Sequence, residues 1–280
     1  MSVVNYDGIK VSQIDEEKIV LLDPNKIDLT IDFMKANNLK CISLGTDDLV
    51  ANDLNFLKKF TFITSFRLFI DDEDFNLSGL EFLINLESLT ILEEHKFVVD
   101  LSNFKKLNSL DIVWKKQYEI IFDINNLKHL RLFKYKSKDL SRFSVFQELK
   151  TLMIYQGSIK NFSGLEDLNK LESLKAVYLQ NLETTQYLPE NLKFLDLTNC
   201  PKIQDLNFIK NLKFLEKLWV DSCKEIQSLN PIKDLKNLNK VDLMGNTRVI
   251  DGDMSPLFGV SKVRFMHFRH YSHKDDNFND

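Results

Sequence analysis

The chain has 280 residues, 28% of them charged, and its formal net charge is −4 at neutral pH. The charges are mixed in sign and form no basic stripe, which argues against nucleic acid as the main partner. No run of about 18 apolar residues occurs, so no membrane-spanning helix is expected. The first residues lack the basic start and apolar core of a signal peptide, so we expect a cytoplasmic location.

The first 38 residues differ in pattern from the rest of the chain. Asp7-Gly8 lies between VVNY and IKVS, and such a pair between two alternating segments is typical of a hairpin. KIVLL at 18–22 predicts a further strand. The apolar spacing in DLTIDFMKANN at 28–38 predicts a helix. We expect residues 1–38 to form an N-terminal cap, because the first coil of a repeat array would otherwise expose its core.

A phrase of the form LxxLxL recurs between residues 39 and 268 at intervals of roughly 20 to 25 residues. The clearest copies are LKFLDLTNC at 192–200, LEKLWVDSC at 215–223 and LNKVDLMGN at 238–246. In each copy, LxL predicts a short strand whose outer residues point inward and whose middle residue points outward. About eleven such coils are predicted. Together they would form a solenoid in which neighbouring coils share one core.

One coil has an ambiguous register. Residues 171–182 can be aligned on LESLKA or on LKAVYL. We favour LKAVYL, because Val177 and Leu179 suit a buried strand better than Ala176 does. Between strands, apolar residues three apart predict 3₁₀ or short helical segments on the opposite side of the solenoid. The clearest set is Ile203, Leu206, Ile209 and Leu212.

The wording IQDLNFIKNLKFLEKLWV resembles the 22-residue leucine-rich repeats of bacterial internalins and of eukaryotic phosphatase-regulating repeat proteins. The resemblance covers about residues 39–268. It implies an α/β fold, a leucine-rich-repeat solenoid with a parallel concave sheet and a convex side of 3₁₀ or short helical segments. It also implies that the concave sheet binds another protein. The internalins' role in host-cell adhesion is not expected to carry over, because no signal peptide or surface anchor is recognised.

The residue after each strand is predicted to make the turn. Cys200 and Cys223 occupy this place, where a small polar side chain can pair with backbone groups of adjacent coils. We expect them to be neighbouring buried, reduced thiols; a disulfide or a metal pair is the alternative. Cys41 lies in mid-strand and is expected to face outward. In the first six coils this position does not hold Cys or Asn, so we expect less regular turns there. Its residues are Asp47, Asp71, Glu94, Lys115, Tyr135 and Gly157.

No catalytic pattern is found. The sequence has no nucleotide-binding glycine motif, GxSxG or HExxH. His267, His270 and His273 are three apart, but they lie in or beside the polar segment 269–280, which we expect to be a disordered tail. The acidic pairs at 71–72 and 93–94 are expected to be solvated, with a divalent cation as the alternative. We therefore expect no enzymatic activity, no cofactor and no metal.

The outward residues of the strands define the predicted binding site. With the first Leu as position one, positions three, five and seven should face the concave side. Position seven is apolar in five consecutive coils, so strands about 4.8 Å apart would form a stripe roughly 20 Å long. The alternative is that position seven lies under a loop at the strand end. The predicted partner-binding residues are Arg67, Phe69, Leu92, Asp111, Val113, Trp114, Arg131, Phe133, Tyr155, Tyr178 and Trp219.

A second outward feature is a row of lysines. Lys217, Lys240 and Lys262 occupy position three in consecutive coils. Nearby aspartates make a mixed, solvated face the favoured interpretation, and a site for an acidic patch the alternative. We predict a monomeric, cytoplasmic, bacterial protein-binding scaffold. The alternatives are an immunity-type inhibitor that masks a toxin enzyme, or a secreted bacterial effector or adhesin.

Overall fold

The computed structural model describes residues 2–14, 17–46, 53–266 and 271–272. It contains two compact units, Met1–Leu127 and Lys128–Asp280, called here the first and the second unit. Both are built from one kind of coil, in which a short strand is followed by a turn and by a return segment. The boundaries predicted at residues 38 and 268 stay predictions.

The first unit begins with three antiparallel strands and a helix, at the places predicted from the sequence. The hairpin turn at Asp7 and Gly8 has φ of 50° and 90°. The Gly8 amide donates to Asn5 Oδ1 at 2.7 Å, which closes this turn. The elements are β1 Ser2–Tyr6, β2 Ile9–Ile14, β3 Glu17–Leu21 and α1 Ile27–Ala36.

Parallel strands follow β3 in the first unit, and each pairs with the next in chain order. These strands are β4 Cys41–Gly45, β5 Ser65–Phe69, β6 Ser88–Ile91 and β7 Ser109–Val113. Short 3₁₀ segments lie on the return side, as predicted. They span Asn55–Lys59, Leu80–Phe82, Leu101–Asn103 and Lys116–Asp123. Such segments suit the period-three apolar spacing, because 3₁₀ residues three apart lie on one edge.

The second unit repeats this arrangement. Its main strands are β8 His129–Phe133, β9 Thr151–Tyr155, β10 Ser173–Val177, β11 Phe194–Thr198, β12 Lys217–Asp221, β14 Lys240–Met244 and β16 Lys262–Phe265. They pair in parallel in that order. On the return side, β13 Glu225–Ile226 pairs with β15 Arg248–Val249. The 3₁₀ segments are Ser141–Val145, Asn207–Asn211, Asn230–Ile232 and Ser255–Leu257.

Among the described residues, the strands from β4 to β16 other than β13 and β15 match the eleven predicted phrases. Their inward residues form the core: Leu130 and Leu132, for example, are almost completely buried. Aromatic residues of the return segments, such as Phe60 and Phe143, fill the space behind them. The hydrophobic contacts between coils supply most of the stabilisation, at about 1.5–3 kcal/mol per buried side chain.

The register chosen for the coil at 171–182 was wrong. In β10, Leu174 pairs with Leu152 and Leu195, and Ala176 pairs with Ile154 and Leu197. The strand therefore follows LESLKA, with Ala176 fully buried. The ladders on both sides fix the register, and they outweigh the local preference for β-branched residues.

Candidate functional site

The candidate site is the face of each sheet that points away from the return segments, called here the open face. It carries positions three, five and seven of the strands, as predicted from the alternation. The two units are described in turn, beginning with the predicted residues of the first.

In the first unit, the predicted residues do not form a continuous apolar surface. Phe69 is 39% exposed and Leu92 is half-buried, but Val113 is only 6% exposed. The ring of Trp114 is half-buried and lies edge-on to Phe122, with centroids 6.0 Å apart. Val113 therefore offers little side-chain surface to a partner.

The two charged residues predicted in this unit contact neighbouring side chains. Arg67 Nη2 lies 2.6 Å from Glu17 Oε2, so β5 is tied to β3 across β4. The Thr90 hydroxyl donates to Asp111 Oδ2 at 3.4 Å. These contacts hold both charges against the sheet.

Cys41 does not face solvent, contrary to the prediction. It is 3% exposed, and its Sγ donates to Ser65 Oγ at 3.2 Å. The strands on both sides of β4, with Glu17 and Arg67 close by, enclose it. Burial raises the pKa of the Cys41 thiol to about 12, so the thiol stays protonated near neutral pH.

In the second unit, two predicted aromatic residues lie together. The rings of Phe133 and Tyr155 stack with centroids 4.7 Å apart and planes 10° apart. Both residues are half-buried, as is Arg131 on the same strand as Phe133. A stacked pair on adjacent strands has few rotamers left to lose, so it is preorganised for contact.

Tyr178 is exposed, as predicted, but it is not a strand residue. It lies just after β10 with φ of 57° and is 50% exposed. Its amide donates to the Thr198 carbonyl at 2.8 Å. Its side chain therefore projects from the turn, because the strand follows the other register.

A second aromatic pair surrounds the predicted residue Trp219. The ring of Phe194 lies nearly perpendicular to it, with centroids 4.9 Å apart. Lys175 Nζ lies 5.8 Å and Lys240 Nζ 5.2 Å from the Trp219 ring, within the range of cation–π attraction. Phe194 and Lys175 were not among the predicted site residues. Phe194 could have been found, since it occupies outward position three of LKFLDL, whereas Lys175 faces outward only in the register that was not chosen for β10.

The carboxylates of this surface are largely covered. Asp242 is buried, and Arg264 Nε and Nη2 donate to its two oxygens at 2.8 and 2.7 Å. Burial raises the Asp242 pKa, but the hydrogen bonds from Arg264 and the Lys240 charge outweigh it and lower the net pKa. Asp196 is also buried, which raises its pKa, and it accepts from Thr198 Oγ1 at 2.6 Å.

The thiols expected to be buried neighbours, Cys200 and Cys223, are indeed fully buried and not bonded in a disulfide. Cys200 Sγ donates to the Ala176 carbonyl at 3.3 Å, and Cys223 Sγ to the Leu197 carbonyl at 3.1 Å. Each bond ties a thiol to a strand of the preceding coil. The two cysteines therefore have a structural role.

In the next coil, Asn246 aligns with Cys200 and Cys223 in the repeated phrase but does not take their buried place. Thr247, not Asn246, takes the buried place, and its Oγ1 donates to the Val220 carbonyl at 3.1 Å. Asn246 is exposed, and its Oδ1 accepts from the Lys224 amide at 3.3 Å. Gly245 and Asn246 together form the turn there, so the inward position comes one residue later.

The acidic loops of the first unit contain a buried histidine. His95 is 3% exposed, and its Nδ1 lies 2.9 Å from the Asp72 carbonyl. In the described part of the chain, no group of three or more His, Cys, Asp or Glu residues could hold a metal ion. The predicted histidine set His267, His270 and His273 lies outside the described residues. Within that same part, no helix has the length and apolarity needed to cross a membrane.

The short parallel strands, 3₁₀ return segments and inward leucines define a leucine-rich-repeat fold, as predicted. No protein-family model matches the chain. An internalin (inlF) from Listeria monocytogenes str. 4b F2365 aligns with a TM-score of 0.58 and 20% sequence identity, over 81% of this chain and 72% of that one. The functional domain of InlJ from Listeria monocytogenes, which includes a cysteine ladder, aligns with a TM-score of 0.54 and 13% identity. That alignment covers 87% of this chain and 64% of the solved domain chain, and both likenesses concern the fold.

Proposed function

We propose that this protein is a non-enzymatic scaffold that binds a partner protein on the open face of its sheets. The observation that carries the proposal is the stacked pair Phe133 and Tyr155, held half-exposed on two adjacent strands. Aromatic residues on a rigid support are the usual anchors of protein interfaces. The leucine-rich-repeat fold, which presents one face of its strands to solvent, supports the same function.

The location and assembly state are part of the proposal. We propose a monomer that acts in the cytoplasm. Three buried, unpaired thiols and a surface of mixed charge support it, because reducing compartments keep thiols free. Cell fractionation would check it: protein recovered mainly outside intact cells would contradict the cytoplasmic location.

The test separates interface residues from core residues. Phe133→Ala and Tyr155→Ala should weaken partner binding by more than about 1 kcal/mol and change stability little. Leu130→Ala, on the opposite side of β8, should cost about 2–5 kcal/mol of unfolding free energy. Thermal melts and titration with the co-purifying partner measure the two effects. If the aromatic variants melt as badly as Leu130→Ala, the pair belongs to the core and the site does not exist.

Photo-crosslinking locates the interface when the partner is unknown. A benzophenone amino acid at Met153, on the open face of β9 two residues before Tyr155 and opposite Arg131 of β8, should give a discrete adduct in cells. The same group at Phe208, an exposed residue of a return segment, is the control. Adducts formed only at Phe208 would move the interface to the return side and contradict the proposal.

A further inference from the structure

We propose that the open face of β11, β12, β14 and β16 binds an acidic segment of the partner protein. The residues that carry the inference are called here the basic surface: Phe194, Lys217, Trp219, Lys240, Lys262 and Arg264. The inference rests on the proposed function, because it names the chemistry of a partner that the open face would bind. It concerns strands other than β8 and β9, which carry the Phe133–Tyr155 pair.

Three lysines lie in register on neighbouring strands. Lys217 pairs with Lys240 across β12 and β14, and Lys240 pairs with Lys262 across β14 and β16. Neighbouring strands are about 4.8 Å apart, so three ammonium groups rise in one row of roughly 10 Å. Like charges placed directly opposite on neighbouring strands destabilise a sheet. A partner's carboxylates would relieve this repulsion on binding.

Little negative charge is accessible beside the row of lysines. Lys240 Nζ lies 3.4 Å from Asp242 Oδ2, an oxygen that Arg264 also engages. Lys217 and Lys262 are exposed, and no carboxylate among the described residues forms an ion pair with either. Two further carboxylates of this face are less accessible than the lysines. Asp196 is buried, and Asp221 is half-buried and accepts from the neighbouring Ser222 hydroxyl at 2.8 Å.

An apolar anchor lies beside the cations. Trp219 is half-exposed, with the Phe194 ring against one side and Lys240 Nζ 5.2 Å from its ring centroid. A Trp framed by lysines suits a segment that offers carboxylates together with an apolar side chain. The carboxylates would lie on the lysine row, and the apolar side chain on the Trp219 and Phe194 rings.

The dimensions of the basic surface favour a protein partner over a nucleic acid. The cationic row spans only three strands, whereas a phosphate backbone carries charge continuously and is bound along an extended basic stripe. The whole chain has a net charge of −4, which adds long-range repulsion toward a polyanion. A short acidic segment needs only the local row.

The experiment uses Trp219 as its own reporter. The chain has two tryptophans, so Trp114→Phe leaves Trp219 as the only one. The probe is a short synthetic peptide of alternating Glu and Leu, titrated at low salt while Trp219 fluorescence is followed. Lys217→Glu combined with Lys262→Glu should weaken binding about tenfold or more. Lys233→Glu combined with Lys236→Glu changes the net charge by the same amount on the return side. The peptide affinity of this variant should stay within about twofold of the parent.

Several outcomes would overturn the inference. One is an equal loss of peptide affinity in the two double variants. Another is a peptide that leaves Trp219 fluorescence unchanged. The third is a single-stranded oligonucleotide of equal charge that binds more tightly than the peptide through the same lysines. If the Glu variants fail to fold, Lys217→Ala with Lys262→Ala replaces them against the matching Ala pair at 233 and 236. The crosslinking at Met153 judges the proposed function separately. If crosslinking at Met153 succeeds but the peptide does not bind, the proposed function stands and only the acidic nature of the partner segment is rejected.

Discussion

The turns that follow the strands differ between the two units. In the second unit, the residue after each of six successive strands has a left-handed backbone, with φ between 52° and 63°. These residues are Lys134, Gln156, Tyr178, Asn199, Ser222 and Gly245. In the first unit, the corresponding residues Thr46, Ile70, Glu93 and Trp114 do not have positive φ. One fold therefore uses two kinds of turn.

The difference lies in what closes each turn. In five of these six second-unit turns, the amide of the left-handed residue donates to a carbonyl of the next coil, as from Gln156 to Val177 at 2.9 Å. In two first-unit turns, a side chain instead bonds to a neighbouring coil: Thr46 Oγ1 donates to the Phe69 carbonyl of the next coil at 3.2 Å, and His95 contacts the Asp72 carbonyl of the preceding coil. A turn closed by the backbone accepts almost any exposed side chain. A turn closed by side chains depends on their identity and protonation.

The largest predicted effect concerns a turn that the units share. Gly79 and Gly164 stand in the same wording, NLSGLE and NFSGLE, with φ of 102° and 103°. A Cβ on either glycine would collide with a backbone carbonyl of the preceding coil, that of Leu54 or Leu140. Gly79→Ala and Gly164→Ala should each lower the unfolding free energy by about 3 kcal/mol or more. Urea unfolding of both variants measures this.

Gly259→Ala is the matched control. Gly259 has φ of 90° but no atom within 4 Å of its Cβ position, so its substitution carries backbone strain without a collision. It should cost only about 1 kcal/mol. If all three variants lose equal stability, backbone strain alone sets the cost and the packing argument fails. A large difference between Gly79→Ala and Gly164→Ala would show that the return sides of the units also differ.

The sequence predicts the parts of this fold that repeat. The LxxLxL period predicted the strands and the inward leucines correctly, because each inward position needs an apolar residue wherever it recurs. It failed at Ala176, where neighbouring strands fix the register, and at Cys41, where β3 and β5 supply the enclosing residues. Neither effect is visible in local spacing. For the same reason, the sequence indicated Trp219 but not its contacts with Phe194 and Lys175.

The second prediction tests the dependence of a first-unit turn on protonation. A carbonyl can only accept, so Nδ1 of His95 donates to Asp72, and neutral His95 carries no proton on its buried Nε2. Burial lowers the His95 pKa below its usual value of 6.5, with the Lys115 charge acting in the same direction. The folded state then binds fewer protons than the unfolded state. Stability should be complete above about pH 6.5 and fall as the pH drops, by at most about 1.4 kcal/mol per pH unit.

Urea unfolding of the wild type and His95→Gln between pH 7 and pH 5 measures this slope. The variant cannot titrate at that site, so its stability should depend less on pH. NMR titration of the imidazole gives an independent check. A His95 pKa above that of a model peptide would reverse the expected sign.

The third prediction concerns the buried thiols behind the second-unit turns. Cys200→Ser and Cys223→Ser keep a donor for the Ala176 and Leu197 carbonyls but bury a more polar atom. Each should cost about 1 kcal/mol and leave partner binding unchanged. Thermal melts and titrations measure the two effects.

Native alkylation with iodoacetamide tests the burial itself. Cys200, Cys223 and also Cys41 should react only after unfolding, because all three are buried. Rapid modification of Cys41 alone would restore the exposure that the sequence indicated. Rapid modification of Cys200 or Cys223 would mean that the backbone-closed turns open readily.

The smallest predicted effect tests the left-handed turns directly. Gln156 is exposed and has φ of 55°, a conformation that costs a side chain with a Cβ roughly 1 kcal/mol relative to glycine. Gln156→Gly should therefore stabilise the protein by about 0.5 kcal/mol, after the greater freedom of glycine in the unfolded chain is deducted. Asn199→Gly should gain less, because asparagine tolerates this conformation. Thr46→Gly, in the first unit, should destabilise instead, because it removes the hydroxyl that bonds to the Phe69 carbonyl. Chemical unfolding measures the change in unfolding free energy for the three variants: an increase for Gln156→Gly, a smaller increase for Asn199→Gly and a decrease for Thr46→Gly. A stabilising Thr46→Gly would contradict the distinction between the two kinds of turn.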